Sequence, residues 1–129
     1  MNPVELLEEL VRIDSVNPSM GGPGEDAMVR RLSQLFVELG LEVRTPEVAD
    51  GRRNLIALLP GDSNRPTLVL EAHLDTVAMP QKSLAVERKD GRLTGRGACD
   101  TKGACAAMIT AIAEVAGEVD RAPVIFAGV

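Results

Sequence analysis

His73 is the only histidine in this 129-residue chain. It ends an apolar run, Leu68-Val69-Leu70-Glu71-Ala72-His73, and is followed by Leu74-Asp75-Thr76-Val77. In extended backbone, residues i and i+2 point the same way, so His73 and Asp75 project together while Leu74 turns into the packed layer. An imidazole that ligates a metal commonly gives its other ring N–H to a carboxylate, which fixes the tautomer and the ring orientation. Asp75 is placed for that task. Further on, Gly95-Arg96-Gly97-Ala98-Cys99-Asp100-Thr101-Lys102-Gly103 puts an aspartate at the mouth of a small-residue helix. The positive end of a helix dipole favours an ionised carboxylate, and such a group can bridge two cations about 3.5–4 Å apart. The three glycines let the backbone turn sharply beside the site.

Each of these residues has an ordinary structural reading as well. A lone histidine is most often a surface or hydrogen-bonded core residue, and an aspartate before a helix is most often a cap. Lys102 reads as a solvated charge in a first helical turn, and Cys99 and Cys105 as small buried fillers. Gly95 and Gly97 do not make a dinucleotide loop, because Asp100 stands where the third glycine belongs and the loop follows a hairpin. What outweighs these readings is the conjunction of whole stretches, Leu68–Val77, Gly95–Met108 and Val124–Val129, in order along the chain.

Composition narrows the classes. Hydrophobic residues make up 45% and charged residues 26%, the balance of a globular chain, and the length allows one domain. With two Phe, no Tyr and no Trp, the core is built from Leu, Val, Ile, Ala and Met. Fourteen basic against nineteen acidic residues, net −5, argue against nucleic acid as partner, since phosphate binding needs a concentrated basic face. Arg52-Arg53 reads as a solvated loop. No run approaches the roughly 18 apolar residues of a membrane span, so no membrane partner is expected. The start, Met1-Asn2-Pro3-Val4-Glu5, has no basic-then-apolar leader, and the two cysteines match no CxxC pattern. A cytoplasmic location with reduced thiols is the expectation.

These groups must be positioned by the elements around them. Asn2, Pro3 and Glu5 mark a helix start, with Val4, Leu7, Leu10 and Val11 as its apolar stripe. Met28, Leu32, Leu35, Phe36 and Leu39 form one face of a second helix that closes at Gly40. Strands are expected at Leu41–Thr45, Asn54–Leu59 and Thr67–Ala72, the last two apolar without alternation, as in strands covered on both faces. Ser83–Arg88 and Arg92–Thr94 flank Lys89-Asp90-Gly91 as a hairpin. A helix from Thr101 to Ala116 presents Met108, Ile112 and Val115, and Pro123–Val129 ends the chain as a buried strand. The order predicts an α/β fold, a three-layer α/β/α sandwich, with ligands beyond the carboxyl ends of the strands, where His73 lies. The last strand, apolar throughout, is expected to be left with an unpaired edge and exposed apolar area, a route to self-association.

The stretches Leu68–Val77, Gly95–Met108 and Val124–Val129, in this order and spacing, resemble the zinc-dependent M20 metallopeptidases. That family includes acetylornithine deacetylases, succinyl-diaminopimelate desuccinylases, aminoacylases and glutamate carboxypeptidases. The resemblance extends to Val11-Arg12-Ile13-Asp14-Ser15-Val16-Asn17-Pro18 and Arg53-Asn54-Leu55-Ile56-Ala57. It implies a mixed sheet of the zinc-exopeptidase type. It also implies that His73 ligates one metal, that Asp75 is the catalytic residue that orients and polarises His73, and that Asp100 bridges two divalent ions. Those ions would be zinc, with cobalt or manganese as alternatives. The implied reaction is hydrolysis of an amide or peptide bond in an N-acyl amino acid or small peptide, by water activated between two metals. The family's next motif, a Glu-Glu pair carrying the general base, has no counterpart here. Residues 1–129 therefore read as the N-terminal segment of a catalytic domain, incomplete at its C-terminal side and inactive alone. The alternative is a non-catalytic scaffold fragment or binding module of the same fold.

Overall fold

The computed structural model describes residues 1–78 and 85–129. Helix α1 (Pro3–Arg12) begins as its sequence predicts: the Asn2 side chain accepts from the N–H of Val4 at 2.9 Å, and Pro3 opens the first turn. Its buried face differs from the expected one, because Leu6, Leu10 and Val11 go inside while Val4 is exposed. Helix α2 (Asp26–Glu38) buries Met28, Leu32, Leu35 and Phe36 as expected, with Val29 beside them.

Strands β1 (Glu42–Arg44), β2 (Glu47–Ala49), β3 (Arg52–Arg53) and β4 (Leu55–Leu59) follow. The β2–β3 hairpin was not anticipated, and it removes Arg52 from the expected solvated loop. Arg52 donates through Nε and Nη2 to both oxygens of Glu25, a carboxylate only 4% exposed. A buried carboxylate is tolerated when a guanidinium meets it with two parallel hydrogen bonds.

After β5 (Leu68–Ala72), strands β6 (Glu87–Lys89) and β7 (Arg92–Thr94) make the expected hairpin. Asp90 and Gly91, at φ 50° and 74°, supply the two left-handed positions of its turn. Residues Ser83 and Leu84 of the expected first arm lie outside the described residues. Helix α3 (Gly103–Val115) packs on α1, and its buried face is Cys105, Ala106, Ile109 and Ile112 rather than one centred on Met108 and Val115.

The principal sheet has the order β1-β4-β8-β5, with β8 spanning Val124–Gly128. Strands β1, β4 and β8 pair antiparallel, and β8 pairs with β5 in parallel. The sheet is therefore mixed, as the α/β reading requires. Side chains from all three helices join Leu55, Ala57, Leu59, Val124 and Phe126 in one core. The alternate residues Ile56, Leu58 and Ile125 face the other side, where they form a half-open groove with Glu42 and Arg44. Among the described residues no helix covers that face, so two of the three expected layers are present.

Two expectations about the strands are corrected. Strand β8 has no free edge: β4 holds one side and β5 the other. The outer strand next to it is β5, where Leu68 and Val69 are 52% and 56% exposed. Apolar sequence alone cannot distinguish a central strand from an edge strand, because order depends on where crossovers return. The parallel β5–β8 pair needs a long crossover, and α3 lies within it.

Phe126, fully buried at the centre of the sheet, meets Phe36 with ring centroids 5.1 Å apart. Phe126→Ala is expected to cost about 3–5 kcal/mol of stability, read as the shift of a urea denaturation midpoint.

Candidate metal centre

Strands β5 and β8 end in register, Ala72 opposite Gly128. The pairing runs one step beyond the strands: Val129 donates to the Ala72 carbonyl at 3.0 Å and Leu74 donates to the Val129 carbonyl at 2.7 Å. This holds residues 73–75 extended. Leu74, 1% exposed, turns into the core, and His73 and Asp75 point together to the open end of the sheet. The i, i+2 reading is met.

The His73 ring is held at both nitrogens. Nδ1 lies 3.1 Å from Asp75 Oδ1 and 3.0 Å from the Asp75 backbone oxygen, and Nε2 lies 3.0 Å from Asp100 Oδ1. Burial disfavours the ring's proton, but the bond to Asp100, the bond to the Asp75 backbone and the charges of both carboxylates outweigh it. The His73 pKa is raised as a result.

Asp100 does not cap α3. It sits in a wide, distorted turn, Ala98–Lys102, where its own backbone leaves helical geometry (φ −122°, ψ 97°) and a cis peptide joins it to Thr101. Its side chain is 84% exposed and turned to His73. Gly97 enters this turn at φ 72°, and a Cβ there would stand 2.7 Å from Thr76 Cγ2, so glycine is required. Thr101 Oγ1 donates to the His73 carbonyl at 2.8 Å, tying the turn to the strand end.

Lys102 is the largest departure from the sequence reading. It is 2% exposed, not solvated, and its Nζ donates to the carbonyls of Leu10 at 2.9 Å and Ile13 at 2.7 Å. These oxygens lie at the negative end of α1, where a cation is favoured. Cys105 is buried as expected, whereas Cys99 is exposed in the cleft.

Asn17 had no assigned role, although its stretch belonged to the resemblance. Its Nδ2 donates to Asp75 Oδ2 at 2.6 Å. The signal available was the turn chemistry of Asn17-Pro18; its contact with Asp75, 58 residues away in sequence, could not be read from one chain. Asn17, Met20, His73, Asp75, Cys99 and Asp100 line a cleft of about 340 Å³. Among the described residues no three His, Cys, Asp or Glu side chains stand close enough to hold a metal ion together. The chain thus brings His73 Nε2 and Asp100 Oδ1 together in the cleft, with Asp75 behind the imidazole.

A half-open α/β domain with a histidine and an aspartate converging at the strand ends has the architecture of a metallopeptidase catalytic domain. Human carnosine dipeptidase 1 is similar in structure, with a TM-score of 0.80 and 25% identity, over 98% of this chain and 31% of that one. An M20 family metallo-carboxypeptidase from Sulfolobus solfataricus shares the fold at a TM-score of 0.82 and 20% identity, over 99% and 30% of the respective chains. A succinyl-diaminopimelate desuccinylase from Novosphingobium aromaticivorans is 30% identical over 136 aligned positions, covering 99% of this chain and 35% of the relative. The chain matches Peptidase family M20/M25/M40 over residues 69–129. It spans about a third of the length of the curated relatives it matches.

Burial lowers the Lys102 pKa from 10.5 to about 8, against the opposing pull of Asp14. Between those values the unfolded chain holds more protons than the folded one, so this group makes stability rise as pH rises through the window. Lys102→Met should remove that rise. Urea denaturation of both proteins at about pH 7.5 and 9.5 checks it: the stability of the wild type relative to the variant should increase with pH.

Proposed function

We propose that the protein to which this chain belongs hydrolyses an amide bond of an N-acyl amino acid or small peptide, using two divalent cations held in part by His73 and Asp100. The observation that carries this reading is the convergence of His73 Nε2 and Asp100 Oδ1 at 3.0 Å in an open cleft, with Asp75 behind Nδ1. Two ligands of a tetrahedral zinc with bonds near 2.0 Å stand about 3.3 Å apart, so these donors fit one cation with a small outward rotation. When bound, such cations supply an acidified water and polarise the substrate carbonyl.

The residues of this chain have distinct tasks. Asp75 accepts from Nδ1–H, so that a cation displacing the Nε2 proton would meet a lone pair directed to the cleft and strengthened as a donor. Asp100 presents an exposed carboxylate that would help hold the cations, and its charge would offset their mutual repulsion. The wide turn and the Thr101 bond to the His73 carbonyl keep the two donors at one place. Zinc suits an imidazole–carboxylate set, and so do cobalt and manganese. A third donor and a general base must come from other residues, so this chain alone is expected to bind metal weakly and to catalyse nothing. The unpaired cysteines suit a reducing cytoplasm. No helix among the described residues is long and apolar enough to cross a membrane.

A second reading, a non-catalytic scaffold fragment, is favoured by the lack of a third donor among the described residues. Metal titration separates the two. Zinc binding to the chain should be abolished by His73→Ala and by Asp100→Ala, and weakened about 10–100-fold by Asp75→Asn. Wild-type affinity in the His73 variant would rule out its role as ligand. In the complete protein, the same substitutions should reduce turnover of N-succinyl and N-acetyl amino acids, measured by amine release, with Asp100→Ala the most damaging.

Self-association, if it uses the sheet, is assigned to the outer side of β5 rather than to the last strand. An exposed, apolar edge strand is a template for pairing, and a lysine blunts it. Val69→Lys should therefore lower the average mass seen by light scattering of the chain.

A further inference from the structure

Behind the His73–Asp75 pair lies a third residue whose geometry is fixed on every side. Asn17 Oδ1 accepts the Ser19 N–H at 2.9 Å, so its amide can present only Nδ2 to Asp75 Oδ2, at 2.6 Å. The flipped amide would put oxygen against a carboxylate and NH2 against an N–H. The Asn17 N–H donates to the Thr76 carbonyl, and the Thr76 N–H donates to the Ser15 carbonyl, both at 2.9 Å. Val16 and Thr76 form a parallel bridge between them. The backbones that carry Asn17 and Asp75 are thus locked together beside the cleft.

The two oxygens of Asp75 are thereby divided: Oδ2 takes the amide of Asn17 and Oδ1 faces His73 Nδ1 at 3.1 Å. A carboxylate held at one oxygen cannot rotate without losing that bond. We propose that Asn17 is a positioning residue: it sets the rotation of the Asp75 carboxylate, and through it the orientation of the His73 imidazole toward a divalent cation. The metal part of this inference rests on the proposed function; the ring orientation does not.

Asn17→Asp separates this role from that of a turn residue. An aspartate still accepts the Ser19 N–H, since Asp and Asn serve such turns alike, but it turns an acceptor to Asp75. Simple charge attraction would make this variant bind cations more tightly; lost positioning makes it bind more weakly. The double variant Asn17→Asp/Asp75→Asn exchanges amide and carboxylate, restores donor to acceptor, and keeps the wild-type net charge. Asn17→Ser, neutral and still able to cap the turn, is too short to reach Asp75 and serves if Asn17→Asp does not fold, as judged by circular dichroism.

The single histidine makes the readout unambiguous. In the metal-free chain, the 15N resonances of the His73 ring should shift and broaden in Asn17→Asp or Asn17→Ser and return toward wild type in the double variant. Zinc titration should give about tenfold weaker binding for the single Asn17 variants, the low end of the effect of groups that support a metal ligand, and the double variant should bind more tightly than Asp75→Asn alone. Folded single variants with wild-type ring resonances, or a wild-type chain and Asn17→Asp that bind zinc equally well, would overturn the proposal. If the wild-type chain binds no zinc, the metal reading fails separately and the ring resonances alone decide the role of Asn17.

Discussion

The site depends on β5 and β8 ending together. Their parallel register sets Ala72 opposite Gly128 and carries one step further to Leu74 and Val129. Side chains alternate along extended backbone, so a slip of one residue would turn His73 and Asp75 into the core and Leu74 out to water. Burial of Leu74 opposes that slip. Gly128 makes the burial possible, since a Cβ there would stand 2.8 Å from a Leu74 methyl carbon. The orientation of a polar pair is thus enforced by an apolar residue lying between them.

A second constraint comes from charge. Lys102 places an ammonium where α1 ends, beneath the turn that carries Asp100 two residues earlier. Together with the Thr101 bond to the His73 carbonyl, this fixes the turn from below and from the side. Glu25 and Arg52 do the corresponding work at the start of α2, joining it to the β2–β3 hairpin. The acidic surplus of the chain is therefore not spread evenly over a solvated surface: some charges serve as internal fastenings.

Much of this was legible in the sequence because it is local. The Asn2 cap, the apolar face of α2, the Asp90-Gly91 turn and the alternation at His73-Leu74-Asp75 each follow from a few neighbouring residues. What was not legible depends on distant partners. Lys102 reads as solvated until α1 supplies two carbonyls from residues about ninety positions earlier. Arg52 reads as a loop residue until Glu25 meets it, and the unpaired side expected of β8 is filled once both its neighbours are known. At the cleft, the alternation at His73-Leu74-Asp75 told which side chains share a side, and both Asp75 and Asp100 contact the His73 ring, while Asn17 emerged only once the loop before α2 was seen beside Asp75.

The Val16–Thr76 bridge has a consequence for local motion. It joins the loop that carries Asn17 to the chain just past Asp75 through a few hydrogen bonds and the burial of Ser15, Val16 and Thr76, apart from the core cluster that secures β8 and α2. Segments held outside the main core can open locally at lower free energy than the global unfolding of a domain. Each opening of this loop would release Asn17 from Asp75 while the sheet stays intact. Any ligand that requires the closed arrangement would shift that equilibrium by mass action, and amide hydrogen exchange at Asn17 and Thr76 would slow together. The loop would thus gain its order from occupancy of the cleft, with the sheet acting as an unchanging frame.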